Sequence, residues 1–195
     1  MQTNTEKQLR EWIDSTKATE MIPFSSFPEL DLYMDQVITL MHRQLEPLSV
    51  DTDRPLTPSM INNYVKDGVM PRPEQKKYTR DHLTVLSIIC MLKSEFALPE
   101  IRELVGALSK ALSTEELYTA FCDSQLTHLR AAADRLDNFE SLSETDRDLA
   151  AMDLALEANA KRLAAARLLS SLTPPPAEEP KKEKKKKKKE MTDPA

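Results

Sequence analysis

From Asp31 to Glu46 the apolar positions Tyr33, Val37, Leu40, Met41 and Leu45 recur close to helical spacing, and Pro47 stops the run. That pattern predicts an amphipathic helix. Ahead of it, Leu9, Trp12 and Ile13 mark a short N-terminal helix, followed by the connection "MIPFSSFPEL", whose two phenylalanines are expected to dock on the core. After the loop "LSVDTDRPL" comes "TPSMINNYVKDGVMP". There Thr57 can cap a helix and Pro58 takes the first helical position, where a missing N–H costs nothing. Gly68, free to adopt the left-handed conformation, ends that helix near Asp67. Thr79 caps a strongly apolar helix through Leu83, Val85, Leu86, Ile88, Ile89, Cys90 and Leu92, and Pro99 opens the next, with Ile101, Leu104, Val105 and Leu108 inward. Ser113 and Glu116 form a capping box. Beyond them Cys122, Leu126, Leu129, Ala133 and Leu136, and then Leu149, Met152, Leu156, Asn159, Leu163 and Ala166, keep a four-three seam. The two runs are expected to form a helical hairpin, packing on the first domain or pairing two chains. No internal repeat is visible.

Composition supports this picture. The 195 residues are 40% hydrophobic with two glycines and 5% aromatics, which favours a mainly α chain of one domain plus an appendage. The organisation expected is an N-terminal helix and connection (1–27), a helix-turn-helix domain (28–112), a C-terminal helical hairpin (113–172) and a disordered lysine-rich tail (173–195). The longest nearly apolar run, Val85 to Leu92, is too short to span a bilayer, so no membrane insertion is expected. With no secretory signal evident and only Cys90 and Cys122 as thiols, the reading is cytoplasmic.

The net charge of -5 hides an uneven distribution. Residues 1–53 carry 4 basic and 10 acidic side chains, residues 54–103 carry 8 and 6, residues 104–172 carry 7 and 11, and the tail carries 8 and 5. Ahead of the tail only the middle is positive, and it holds a distinctive stripe. On a helix starting at Pro58, the residues Ser59, Asn62, Asn63 and Lys66 fall at i, i+3, i+4 and i+7 and share one face. Ile61, Tyr64 and Val65 lie on the other. Asn costs about 0.5 kcal/mol against Ala in a helix, so two of them in so short a helix are not there for stability. A face of amides and a hydroxyl, without a carboxylate and ending in lysine, suits the DNA major groove, where an Asn amide pairs bidentately with adenine. Lys66, Arg72, Lys76, Lys77 and Arg80 follow as a basic cluster opposed only by Asp67 and Glu74. The segment "GVMPRPEQKKYT" has the size of a wing, with Val69-Met70 and Lys77-Tyr78 as its expected paired ends. Five neutralised phosphates imply a slope of log K against log salt near ~-4.5 per protomer.

The order of a Thr-Pro cap, "MINNYVKDGVMP", a wing ending in "KYT", an apolar helix and "LPEIRELV" resembles the winged helix-turn-helix of MerR transcription regulators. It is more similar still to an uncharacterised MerR-like bacterial family, a domain of unknown function with the segments "DLYMDQV", "LTPSMINNYVK" and "KKYTRDH". The resemblance covers roughly residues 28–108. It implies that the Pro58 to Lys66 helix lies in the major groove, that Met60, Asn62, Asn63 and Tyr64 face DNA, and that Lys76 stands where the family has a wing arginine. Asn62 and Asn63 replace the Arg and Tyr typical of MerR proteins, so the family's operator preference does not carry over.

The function expected is a double-stranded-DNA-binding transcriptional regulator, acting as a homodimer through its C-terminal helices. The alternative is a helical protein-interaction module on the same scaffold, favoured by the acidic terminal segments. No enzyme is expected, since neither a phosphate-cradling glycine loop nor a nucleophile arrangement is visible. His42, His82, His128 and the cysteines lack metal-ligand spacing, so neither metal nor cofactor is expected. His82, in the first turn of its helix, reads as a capping or packing histidine.

Overall fold

The computed structural model describes residues 4–45, 48 and 55–172. Among them are seven α-helices: α1 (Asn4–Ala18), α2 (Met34–Leu45), α3 (Pro58–Lys66), α4 (Arg80–Leu92), α5 (Leu98–Ala111), α6 (Thr114–Asp134) and α7 (Glu144–Leu172). Short 3-10 turns span Phe24–Ser26 and Phe139–Ser141. No strand forms among the described residues beyond two isolated antiparallel bridges, Leu32 with Tyr78 and Glu74 with Lys77. The expected disordered tail and most of the "LSVDTDRPL" loop lie outside the described residues.

The centre is α4. His82 through Ile89 are all buried, because α2, α5 and α6 pack around it. Its apolar pattern has no polar side to offer solvent, which is the signature of a helix enclosed on most sides. Thr79 and His82 start it reciprocally: Thr79 N–H donates to His82 Nδ1 at 3.1 Å, and the Thr79 hydroxyl lies 2.8 Å from the same nitrogen. His82 is therefore a capping residue. Glu100 and Glu116 accept the N–H groups of Ala97 and Ser113 at 2.8 Å, opening α5 and α6 in the same manner.

One core runs from Met21 to Cys122 and continues through position 112, since Leu117, Tyr118 and Cys122 of α6 belong to it. Phe27 and Tyr118 pack with ring centroids 4.7 Å apart, and Phe24 covers them from one side. The Tyr118 hydroxyl donates to the Ile22 carbonyl at 2.7 Å and accepts from Gln44 Nε2 at 2.6 Å, so α6, α2 and the N-terminal connection share a buried polar joint. A second, smaller cluster of Ile13, Ala133 and Phe139 joins α1 to the far end of α6. There Arg10 and Arg147 each stack on the Phe139 ring, at 5.1 and 5.6 Å, and Lys17 pairs with Asp134 at 2.9 Å.

The expected α6–α7 hairpin needs correction. α6 does bury its four-three seam, but against α1 and the main core rather than against α7. Leu149, Met152, Leu156 and Leu163 of the α7 seam are 51 to 60% exposed. α7 is tied to the end of α6 by polar links instead, Arg135 holding Asp153 at 2.8 Å and also Glu157. The cause is occupancy: α1, distant in sequence, has taken the surface of α6 that α7 would have needed.

Candidate nucleic-acid interface

α3 is fixed at both ends and along one side. The Thr57 hydroxyl accepts the Met60 N–H at 3.3 Å, and Pro58 occupies the first turn. Ile61 is fully buried and Tyr64 is 5% exposed, which anchors the helix on the core. At the other end Asp67 N–H returns to the Asn63 carbonyl at 2.8 Å, and Gly68 adopts φ 68. That left-handed step turns the chain back on itself, so Val69 and Met70 both donate to the Tyr64 carbonyl, at 2.9 and 3.1 Å.

On the outward side Ser59, Asn62, Asn63 and Lys66 are all exposed. Neither carboxamide is spent on a hydrogen bond to another described residue, and neither α1, α6 nor α7 covers the face. Met60 is half-buried at its edge, packed against the core. Tyr64 corrects the expectation that it faces outward. It sits one turn after Ile61 on the inner face, and burial pushes its phenol up to about 12, with Cys90 adding a smaller effect.

The wing also differs from expectation. Val69 and Met70 are buried with their N–H groups committed to α3, so they are unavailable for pairing. Tyr78 pairs instead with Leu32, exchanging N–H to carbonyl bonds of 2.8 and 2.9 Å with the segment before α2. What projects is a tight reversal at Glu74–Lys77, closed by Lys77 N–H to the Glu74 carbonyl at 2.8 Å, with Gln75 and Lys76 at φ 48 and 62. Two successive positive φ values make the primed turn favoured by hairpins, at a cost for non-glycine residues. Lys76 stands exposed at its tip, and Lys77 leans over the Tyr33 ring at 5.8 Å.

The cations divide into two kinds. Lys66, Arg72 and Lys76 are exposed and Lys77 half-exposed, none of them in an ion pair with a described residue. Arg80 is otherwise engaged: its guanidinium donates to the Phe27 and Pro28 carbonyls at 2.8 and 3.3 Å and stacks on Phe24 at 5.4 Å. It is a tether for the N-terminal connection rather than a free charge. Arg102 of α5, which pattern reasoning passed over, reaches the Asp67 carbonyl at 3.4 Å and brings a cation to the end of α3. Its only signal in sequence is its place beside the inward-facing Ile101, and nothing local links it to a residue 35 positions earlier.

Among the described residues no three of His, Cys, Asp or Glu gather as a metal-ion site. Burial raises the Cys90 thiol to about 11 and also raises that of Cys122, so both are poor nucleophiles at neutral pH. No helix among the described residues is long and apolar enough to cross a membrane.

Residues 22–121, which carry α2 to α5, the turn and the first part of α6, match the model of a family described as Domain of unknown function (DUF1836). No curated protein and no solved structure matches the chain. The match takes in just over half of the sequence and all of the surface described above, and the chain belongs to the DUF1836 family.

Proposed function

We propose that this protein is a DNA-binding transcriptional regulator that reads the major groove with α3 and grips phosphates with Lys66, Arg72, Lys76 and Lys77. The observation that carries the reading is the open amide face: Ser59, Asn62, Asn63 and Lys66 project together from a helix whose opposite side is locked into the core. Side chains with amide donors and acceptors match the edge of adenine, and a cation at the end of the stripe suits the backbone alongside. The likeness of the segment order to MerR regulators agrees with this, with Asn62, Asn63 and half-buried Met60 left as the contacts that burial permits. Tyr64 and Arg80 have no part in it.

The test is selection of fragments from the host genome by the full chain, followed by anisotropy titration of the selected and a random duplex. Asn63→Ala is expected to cost about 1–3 kcal/mol on the selected site and little on random DNA. Retention of every fragment alike, or of none, would refute the reading in favour of a protein-interaction module.

A further inference from the structure

α7 presents two different sides. Arg147, Ala150, Leu154 and Glu157, three, four and three residues apart, are half-buried and form the side turned towards the rest of the chain. There Arg147 pairs with Glu6 at 2.8 Å and donates to the Phe139 carbonyl at 3.1 Å, while Glu157 pairs with Arg135. Leu149, Met152 and Leu156 each follow one of these positions by two residues, which places them roughly 200° round the helix. They and Leu163 are 52, 55, 60 and 51% exposed. The inner side is thus held mainly by ion pairs and hydrogen bonds, while the apolar stripe lies on the outer side, where a row of large aliphatic side chains calls for a cover and has none within the described residues.

The occupant can be identified from charge. The first half of α7, residues 144–158, carries Glu144, Asp146, Asp148, Asp153 and Glu157 against Arg147 alone. The second half, residues 159–172, carries Lys161, Arg162 and Arg167 and no acid. Such a helix is complementary to itself when reversed, acidic half on basic half, and repels itself when parallel. The seam has the same symmetry. A two-fold axis between Glu157 and Ala158 sets Leu149 opposite Ala166, Met152 opposite Leu163 and Leu156 opposite Asn159 of the second copy.

We propose that α7 pairs antiparallel with α7 of a second copy of this chain. The seam from Leu149 to Ala166 is roughly 26 Å long. Its exposed side chains form an apolar stripe of roughly a few hundred Å², the size of the largest such patch on a typical monomer, which is often an interaction surface. Two such stripes with their flanks approach the roughly 1,000 Å² of a specific interface. α7 lies outside the family match, so the pairing is a property of this chain beyond the shared domain. It stands independently of the DNA reading, because mass and DNA affinity are measured separately.

Light scattering of the full chain at micromolar concentration tests it, with circular dichroism to confirm unchanged helix content. The native chain is expected at twice the monomer mass. Leu156→Asp is expected to halve that mass, whereas Leu168→Asp, which is exposed but off the seam, leaves it intact. Mixing Met152→Cys with Leu163→Cys tests direction: mild oxidation should join one variant to the other, and neither to itself. A monomeric native chain, a Leu156→Asp dimer, or cross-linking of Met152→Cys to itself would each overturn the proposal.

Discussion

Lys66 and Arg80 have the same charge and lie 14 residues apart, yet the structure gives them opposite roles, and paired alanine substitutions separate those roles. Lys66 is exposed and unpaired at the end of the amide stripe. On the proposed reading its removal takes away one phosphate contact, and it should change stability by no more than about 0.5 kcal/mol. Arg80 makes two bonds to backbone carbonyls and one ring contact. Charge-assisted bonds contribute about 1.5–3 kcal/mol and an exposed cation–π contact about 0.5–1. With one of the two bonds long and exposed, at 3.3 Å, and so counted as adding little, the sum expected for Arg80→Ala is a loss of about 2–4 kcal/mol. The salt dependence of DNA binding should behave the other way. Four free cations, Lys66, Arg72, Lys76 and Lys77, give a slope near ~-3.6 per protomer, shallower than the ~-4.5 that counting Arg80 implies. Lys66→Ala should reduce it to about -2.7 and Arg80→Ala should leave it unchanged. Anisotropy titrations across a salt series, with urea denaturation of the same variants, measure both quantities. An equal loss of slope in the two variants would refute the division of cations, as would a stable Arg80→Ala protein.

Lys76→Gly should relieve the positive φ at the turn and stabilise the fold by about 1 kcal/mol, while lowering the salt slope by about 0.9; thermal melts and titrations on one preparation reveal the trade. Burial lowers the His82 pKa, against the opposing pull of Asp81, the Arg72 carbonyl, Asp31 and the Pro71 carbonyl. A group whose folded pKa is depressed loses its stabilising contribution as pH falls from the unfolded value of 6.5 towards the folded one, so native stability should drop below pH 6.5. His82→Gln keeps an acceptor for the Thr79 N–H without titrating, and melts from pH 5 to 7.5 should lose that component. Tyr118→Phe strips the half-buried Ile22 carbonyl of its donor and the buried Gln44 Nε2 of its closest acceptor. It should cost about 2–3 kcal/mol, seen as a lower urea midpoint with unchanged slope.

What the sequence made legible was local. The caps at Thr57, Thr79 and Ser113, and the left-handed Gly68, each involve residues within a few positions of one another, so residue type alone identifies them. Tyr64 is instructive because two signals disagreed. Helical periodicity set it inward with Ile61, and the family resemblance set it outward; the buried contact prevailed, as expected for a large ring one turn from a fully buried anchor. The partner of Tyr78 was out of reach, because Leu32 lies 46 positions earlier and an isolated bridge leaves no alternation to read. Arg80 had the same difficulty, for a cation that caps carbonyls looks in sequence like one awaiting a phosphate. The α7 seam was legible as apolar, but its expected contact with α6 does not form, since periodicity reports that a face must be covered and is silent about what covers it.

The strongest internal support for a functional surface is where the chain departs from its own local preferences. At Thr79 and Ser113 the helices start on residues that cap well, and α4 fills the core largely with branched and aliphatic side chains. Between Asn62 and Lys76 the choices are poorer: two asparagines in a nine-residue helix, then Gln75 and Lys76 at φ values that glycine or asparagine would adopt more cheaply. None of these four side chains is bonded into the fold, so packing does not compensate for them. At about 0.5 kcal/mol for each asparagine and about 1 kcal/mol for each strained turn residue, the stretch gives up roughly 3 kcal/mol, a sizeable part of the 5–15 kcal/mol that holds a domain together. A surface kept at that expense, mounted on the buried Ile61 and Tyr64 and free of carboxylates along α3, is not accounted for by what it stabilises, and the proposed contact with DNA supplies the missing reason.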